Sequence, residues 1–296
     1  MLLFTFYIFI IYKVITLIIE TMLNITEFEP RYIRQFGDLF IGKDNKFFPP
    51  REETDSSTLL ILTGNIFDPF ENLNEFTENV ELFFKHCSKN FPYTIIVPGY
   101  LECNYSFEEP EILRIIQNKI SEKYSNIILA HNTSIQFRDK IRFVCSPLLT
   151  DFDHYSKLNN ADEINNNVKI NKESIYKQNS LSKDFIYNSA LKKSLDPDDV
   201  KLVGLVTHTS PSSKFASMSL IENQLENVTS YTSLDYLIKS GLYDFYIWGN
   251  TQQTLTQRSS IRSRDILFST NSKGGIEFPN RDFDLLSLID ISFINR

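Results

Sequence analysis

Short uninterrupted apolar runs alternate with stretches of helical spacing along most of the chain. Thr58–Thr63 (TLLILT) is stopped by Gly64, and Tyr93–Val97 (YTIIV) by Pro98-Gly99. Lys201–Thr207 (KLVGLVT) and Leu242–Trp248 (LYDFYIW) are of the same kind. Runs of this length between turn residues predict strands buried on both faces. Ile127–Ala130, Ile266–Ser269 and residues 285–294 are further strand candidates, and Ser134–Ser146 alternates as a hairpin would. Between them, residues 71–90 carry Leu73, Phe76, Val80, Phe83 and Phe84 at helical spacing. Residues 108–123 set Ile112, Ile115, Ile116 and Ile120 on one face, and helical spacing resumes at 181–195, before Asp196-Pro197. Strands alternating with helical stretches of about a dozen residues predict a layered α/β domain.

Three segments depart from this rhythm. Residues 22–57 are mixed, with the turn-like FFPPREETDSS near their end, and predict no clear element. Residues 157–180 are rich in Asn, Lys and Glu, including Asn165-Asn166-Asn167, and read as a solvated loop or insertion. Residues 1–19 (MLLFTFYIFIIYKVITLII) approach the roughly 20 apolar residues of a membrane span. Against a span, Lys13 sits near the centre, where a charge costs about 2.5–3.5 kcal/mol, and Glu20 follows at once. No basic residue precedes the run and no small-residue cleavage site follows, so it is a poor signal peptide. An N-terminal anchor, an extension ahead of a start at Met22, and a buried strand or helix stay open. With no internal repeat and no linker, the simplest division is an apolar segment 1–21 and a single domain 22–296 carrying the Asn-rich insertion.

Composition narrows the class. Of the 296 residues 42% are hydrophobic and 23% charged, ordinary for a folded globular chain and unlike a disordered, collagen-like or polytopic membrane protein. A chain of about 300 residues buries roughly three quarters of its extended surface, so its core needs no disulfide or metal. A net charge of −7 gives no global attraction to nucleic acid or anionic lipid. Three widely spaced cysteines, Cys87, Cys103 and Cys145, argue against a disulfide framework and a CxxC zinc site. The expectation is a reducing, cytoplasmic compartment, with a membrane reached, if at all, through residues 1–19. The chain has no GxxxxGK[ST], GxGxxG, GxSxG or HExxH.

In layered α/β folds, ligands bind where the loops after the strands converge. Gly64-Asn65-Ile66-Phe67-Asp68 follows the first run and Pro98-Gly99-Tyr100-Leu101-Glu102 the second. His208-Thr209-Ser210-Pro211 follows the third, and Gly249-Asn250-Thr251-Gln252 the fourth. The order and spacing of these segments resemble the calcineurin-like metallophosphoesterase family, whose pattern runs D-x-H, GDxxD, GNH[DE], a later TH or GH, and GHxH. Leu62–Asp68 stands at the GDxxD place and Val97–Glu102 at the VPGNHE place. Leu149-Thr150-Asp151-Phe152 resembles LWTDF, Val206–Ser212 resembles THHAPS, Trp248–Gln252 resembles HGHTH, and Asn271-Ser272-Lys273-Gly274 resembles NPRG. The resemblance covers about residues 58–276 and implies two mixed sheets packed face to face with helices outside (αββα).

It also implies what is missing. The family's chemistry uses two divalent metals about 3.5–4 Å apart. At an effective dielectric of 20 they repel by roughly 16 kcal/mol, which a bridging carboxylate and neutral imidazoles must offset. Here Asn65 stands in place of the bridging Asp, and no Asp-x-His occurs in the chain. Tyr100 replaces the Asn ligand, Leu101 the catalytic His, and Asn250 and Gln252 the two His of GHxH. His208 alone remains of the family's metal ligands, with Asp68 and Glu102 as neighbouring acids. His208 reads first as a hydrogen-bonded residue at a strand end. Asp68 and Glu102 read first as acceptors for loop amides, and Asn65, Asn250 and Gln252 as amides filling the former metal space. Tyr100 reads as a filler of vacated volume. His131 and His154 read as structural or surface residues, and Arg258/Arg262/Arg264 and Lys192/Lys193 as solvated faces. Cys103, one residue after Glu102, would need a base beside it to act as a nucleophile.

The leading expectation is therefore a catalytically degenerate domain that binds a protein or small ligand, with no cofactor and no nucleic acid. The alternative is an active, metal-dependent phosphoesterase with a reworked, mononuclear site. It would hold Mn, Fe or Zn through His208, Asp68 and a further residue from 24–57. A third class, a membrane-tethered structural component, rests on residues 1–19 alone.

Overall fold

The computed structural model describes residues 22–69, 76–103, 111–151, 172–196, 200–215, 230–275 and 279–294. The strands are β1 (Met22–Ile25), β2 (Tyr32–Phe36), β3 (Thr58–Leu62), β4 (Tyr93–Ile96), β5 (Ile127–Leu129), β6 (Thr133–Phe137), β7 (Ile141–Ser146), β8 (Leu202–Thr207), β9 (Phe245–Trp248), β10 (Thr254–Ile261), β11 (Arg264–Asn271) and β12 (Ile289–Asp290). The helices are α1 (Glu78–Asn90), α2 (Tyr100–Cys103), α3 (Glu111–Lys123), α4 (Lys172–Leu195) and α5 (Asp235–Ser240). Two mixed sheets result, a seven-stranded one ordered β1-β6-β7-β8-β9-β11-β10 and a five-stranded one ordered β12-β2-β3-β4-β5. β2 through β5 run parallel, as do β7, β8, β9 and β11.

The continuous apolar runs arise because each central strand feeds two cores. Leu59 and Ile61 of β3 face the gap between the sheets, while Leu60 and Leu62 face outward. In β9, Phe245 and Ile247 face the gap, and Tyr246 and Trp248 the outer side. The outer face of the five-stranded sheet is covered by α1, through Val80, Phe83, Phe84 and Cys87, and by Ile116 and Ile120 of α3. The other outer face is covered by Ile186 and Ala190 of α4 and by Leu237 and Ile238 of α5. The architecture is therefore mixed α/β, a two-sheet sandwich flanked by helices.

Several expectations are corrected. The mixed segment 22–57 holds β1 and β2. The sequence hides β2 because Arg34 and Gln35 interrupt its apolar pattern, yet both are fully buried. Arg34 donates to Asp55 at 3.2 Å and to the Pro50 and Leu285 carbonyls. The helix expected at 71–90 begins at Glu78; Leu73 lies outside the described residues. Ile115 is 43% exposed and does not share the buried face of Ile116 and Ile120. Residues 172–180, expected as loop, form the first turns of α4, whereas 157–171 and His154 lie outside the described residues. β10 went unpredicted because it is a polar edge strand with little apolar alternation. Lys193 is not on a solvated face: it is buried and donates to the Val200 carbonyl at 2.6 Å. Arg264 is paired with Asp244. Residues 1–21 lie outside the described residues; among those described, no helix is long and apolar enough to cross a membrane.

Gly204, in the middle of β8, lets the Phe245 ring cross its backbone. A Cβ there would lie 1.7 Å from a ring carbon. Gly204→Ala forces that buried ring out of place, and urea unfolding is expected to show a loss of about 1–3 kcal/mol.

Candidate functional site

The loops after the parallel strands of both sheets meet at one edge of the sandwich and are sewn together there. Gly37, after β2, donates its N–H to Asn271 at the end of β11, and its carbonyl accepts from Lys273, at 3.0 and 2.9 Å. The Gln35 amide donates to the Trp248 carbonyl at 2.6 Å, and the Asn271 amide to the Gln35 carbonyl at 3.0 Å. His208, after β8, reaches across the gap to the carbonyl of Thr63, after β3, at 2.7 Å.

One carboxylate shapes the loop after β3. Glu102, on the single turn α2, is 1% exposed. Its Oε1 accepts from the backbone N–H of Ile66 (2.6 Å) and Phe67 (3.2 Å), its Oε2 from Asn65 (3.0 Å) and Gly99 (2.8 Å). Burial raises its pKa, while these amides pull the other way. Gly64 starts the loop at φ +82°, and a Cβ there would stand 2.4 Å from His208 Nδ1. Only glycine meets both demands.

Asn65 lies in the centre. Its Nδ2 donates to Asp38 Oδ1 at 3.0 Å, and its Oδ1 accepts from the Leu101 N–H at 3.1 Å. Asp38 is a carboxylate that the sequence does not single out, and it comes from the segment 24–57. It is 1% exposed, and its Oδ2 lacks a hydrogen-bond partner. Burial pushes its pKa up to about 7; the Asn65 amide, the Ser272 hydroxyl and the Asn250 backbone N–H oppose the rise, and the Glu102 charge adds to it. A local signal was present. Gly37-Asp38, Gly64-Asn65 and Gly249-Asn250 repeat the same pair after three strands, and Asp38, Asn65 and Asn250 all take left-handed φ of 52–54°. Asp and Asn tolerate that region better than other non-glycine residues.

His208 is fully buried. A carbonyl can only accept, so the facing Thr63 oxygen assigns the proton to Nδ1 and leaves a lone pair on Nε2, which has no partner. Burial lowers its pKa to about 4, against the pull of that hydrogen bond. The Tyr100 ring packs edge-on to the imidazole at 5.3 Å, and its hydroxyl oxygen accepts from the Thr150 N–H at 3.1 Å. Asp151 is paired with Lys183 at 2.7 Å. Asn250 and Gln252 are half-buried at the rim, with Gln252 also left-handed at φ 49°.

Not every candidate joins the cluster. Asp68 is half-buried farther along its loop, and none of the hydrogen bonds named above runs to it. Cys103 is buried, and burial together with the Glu102 charge pushes its thiol pKa well above the usual range, the reverse of an activated nucleophile. His131 is held neutral by burial, with Gln178 as its hydrogen-bond partner. The residues present do not fit a pair of dications: Asn65 turns its NH₂ to Asp38, and an amide NH₂ donates rather than ligates. Among the described residues, no group of three or more His, Cys, Asp or Glu could hold a metal ion.

No family model and no curated protein matches the chain. A solved crystal structure is similar over 82% of this chain and 91% of its own, at 13% identity and a TM-score of 0.44. At that level the likeness assigns neither a family nor an activity.

The two buried titrating groups act in opposite senses. Asp38, raised from 3.8 to about 7, contributes stability that is full below about pH 4 and is lost as pH rises through 7. His208, lowered from 6.5 to about 4, contributes stability that is full above about pH 6.5 and is lost as pH falls through 4. Relative to the wild type, Asp38→Asn is expected to make stability climb more steeply between about pH 4 and 6.5, and His208→Asn to make it climb less or fall. Urea unfolding across that range reads both slopes; a shift of the same sign in the two variants would contradict the assignment.

Proposed function

We propose that the chain is a calcineurin-like metallophosphoesterase domain that has lost its two-metal chemistry and acts by binding a protein or small ligand at the edge built by these loops. The observation that carries the reading is the closure around Asn65. Where the resemblance calls for a bridging carboxylate, a neutral amide joins Asp38 to the Leu101 backbone. Asp38-Leu39-Phe40, following β2, takes the place of the D-x-H motif with its His replaced by Phe40. Leu101, with no donor atom, and Tyr100, whose hydroxyl accepts from the Thr150 N–H, likewise fill the GNH place. The glycine turns and cross-sheet hydrogen bonds persist while the charge needed to offset two dications is absent.

A second reading has one specific observation in its favour. Asp38 Oδ2 and His208 Nε2 are both buried without a hydrogen-bond partner, and a carboxylate oxygen and an imidazole nitrogen are donor types that Mn, Fe or Zn accept. With Asn65 donating into the same space, a binding role remains the better supported.

Metal analysis of the purified full chain, with bis(4-nitrophenyl) phosphate hydrolysis assayed in added Mn²⁺, Fe²⁺ or Zn²⁺, separates the readings. Binding without catalysis predicts well under one metal per chain and no turnover above buffer. Two equivalents with turnover would overturn it. One equivalent with turnover, both lost in His208→Ala, would establish the second reading instead.

A further inference from the structure

At the opposite edge of the sandwich, where β2, β7 and β8 begin, a cleft of about 400 Å³ opens between the sheets. Its floor includes Ile141, Leu202 and Ile291, all members of the inter-sheet core. These three side chains are almost fully buried, so the cleft ends on the edge of the core and exposes little of it. The rim carries Arg31, Lys140 and Lys201. β7 and β8 pair in parallel with Ile141 opposite Leu202, and the Leu202 N–H donates to the Lys140 carbonyl at 2.9 Å. That register sets Lys140 and Lys201 side by side on strands about 4.8 Å apart, where like charges repel.

Glu29, also on the rim, neutralises Lys140 and leaves Arg31 and Lys201 to set its sign. Glu29 is shared between Lys140 at 2.7 Å and Arg138 at 3.3 Å. Asp290 accepts from the backbone and hydroxyl of Ser292. Lys201 is exposed and pairs with no carboxylate among the described residues. An apolar floor under a cationic rim is an unusual feature in a chain of net charge −7.

We propose that this cleft binds one amphipathic anion, its apolar body on Ile141, Leu202 and Ile291 and its anionic head between Lys140 and Lys201. The volume lies within the range of small-ligand pockets, which combine apolar lining with a few placed polar groups. Apolar contact gives affinity, and Lys201, which pairs with no carboxylate among the described residues, selects the charge. The site is independent of the strand-end loops and of the reading given to them.

The test uses the full chain and a fluorescent sulfonate, 1-anilinonaphthalene-8-sulfonate, displaced by decanoate, by decyl phosphate or by inorganic phosphate. One probe per chain is expected, displaced by both decyl amphiphiles and not by inorganic phosphate; whichever amphiphile competes better identifies the head group. Lys201→Glu and Lys140→Glu are each expected to weaken binding about tenfold. Leu191→Ser, on the exposed side of α4, is expected to leave it unchanged. Thermal unfolding of Lys201→Glu reports its fold, and Lys201→Ala replaces it if that variant is unstable. Less than about a threefold effect of the lysine substitutions, displacement by inorganic phosphate alone, or loss of binding in Leu191→Ser would each overturn the proposal.

Discussion

The candidate site depends on a single buried carboxylate. Glu102 gathers backbone N–H groups from Asn65, Ile66, Phe67 and Gly99, four donors that would otherwise be buried unpaired at roughly 1–3 kcal/mol each. By doing so it binds the loop after β3 to the loop after β4 and holds Asn65 in its left-handed conformation. The cluster around Asn65 inherits its geometry from that anchor. The His208–Thr63 bond then ties this loop pair to the other sheet.

Around this frame the charges are arranged to cancel. Asp38 and His208 are both buried, both shifted toward neutrality, and joined to neighbours through neutral donors and carbonyls. Hydrogen bonds join the members of the cluster, while Asp38 Oδ2 and His208 Nε2 are left without hydrogen-bond partners. The cluster is ill suited to concentrating positive charge, for which fixed negative charge and imidazole lone pairs are required. The edge has the loop convergence of a ligand site and the electrostatics of a sealed one.

The two ends of the sandwich therefore differ in kind. At the carboxyl ends of the strands, side-chain amides and backbone bonds close the gap between the sheets. At the amino ends, Arg31, Lys140, Lys201 and Glu29 surround the buried Ile141, Leu202 and Ile291. Hydrogen bonds across the sheets close one end, and the other opens into a charged cleft.

The sequence by itself determined the central strands. TLLILT, YTIIV, KLVGLVT and LYDFYIW must be covered on both faces, which calls for a layered α/β arrangement. It also located the loops that meet at the edge, because Gly64, Gly99 and Gly249 mark sharp turns after strands. It did not reveal β2, since Arg34 and Gln35 break its apolar pattern, and the groups they donate to, on Asp55, Pro50, Leu285 and Trp248, lie far along the chain. Asp38 was lost with β2, although it completes the cluster around Asn65. Tertiary structure alone decided which polar residues became neutral, because that depends on burial and on the atom each one faces. Adjacency in sequence carries neither.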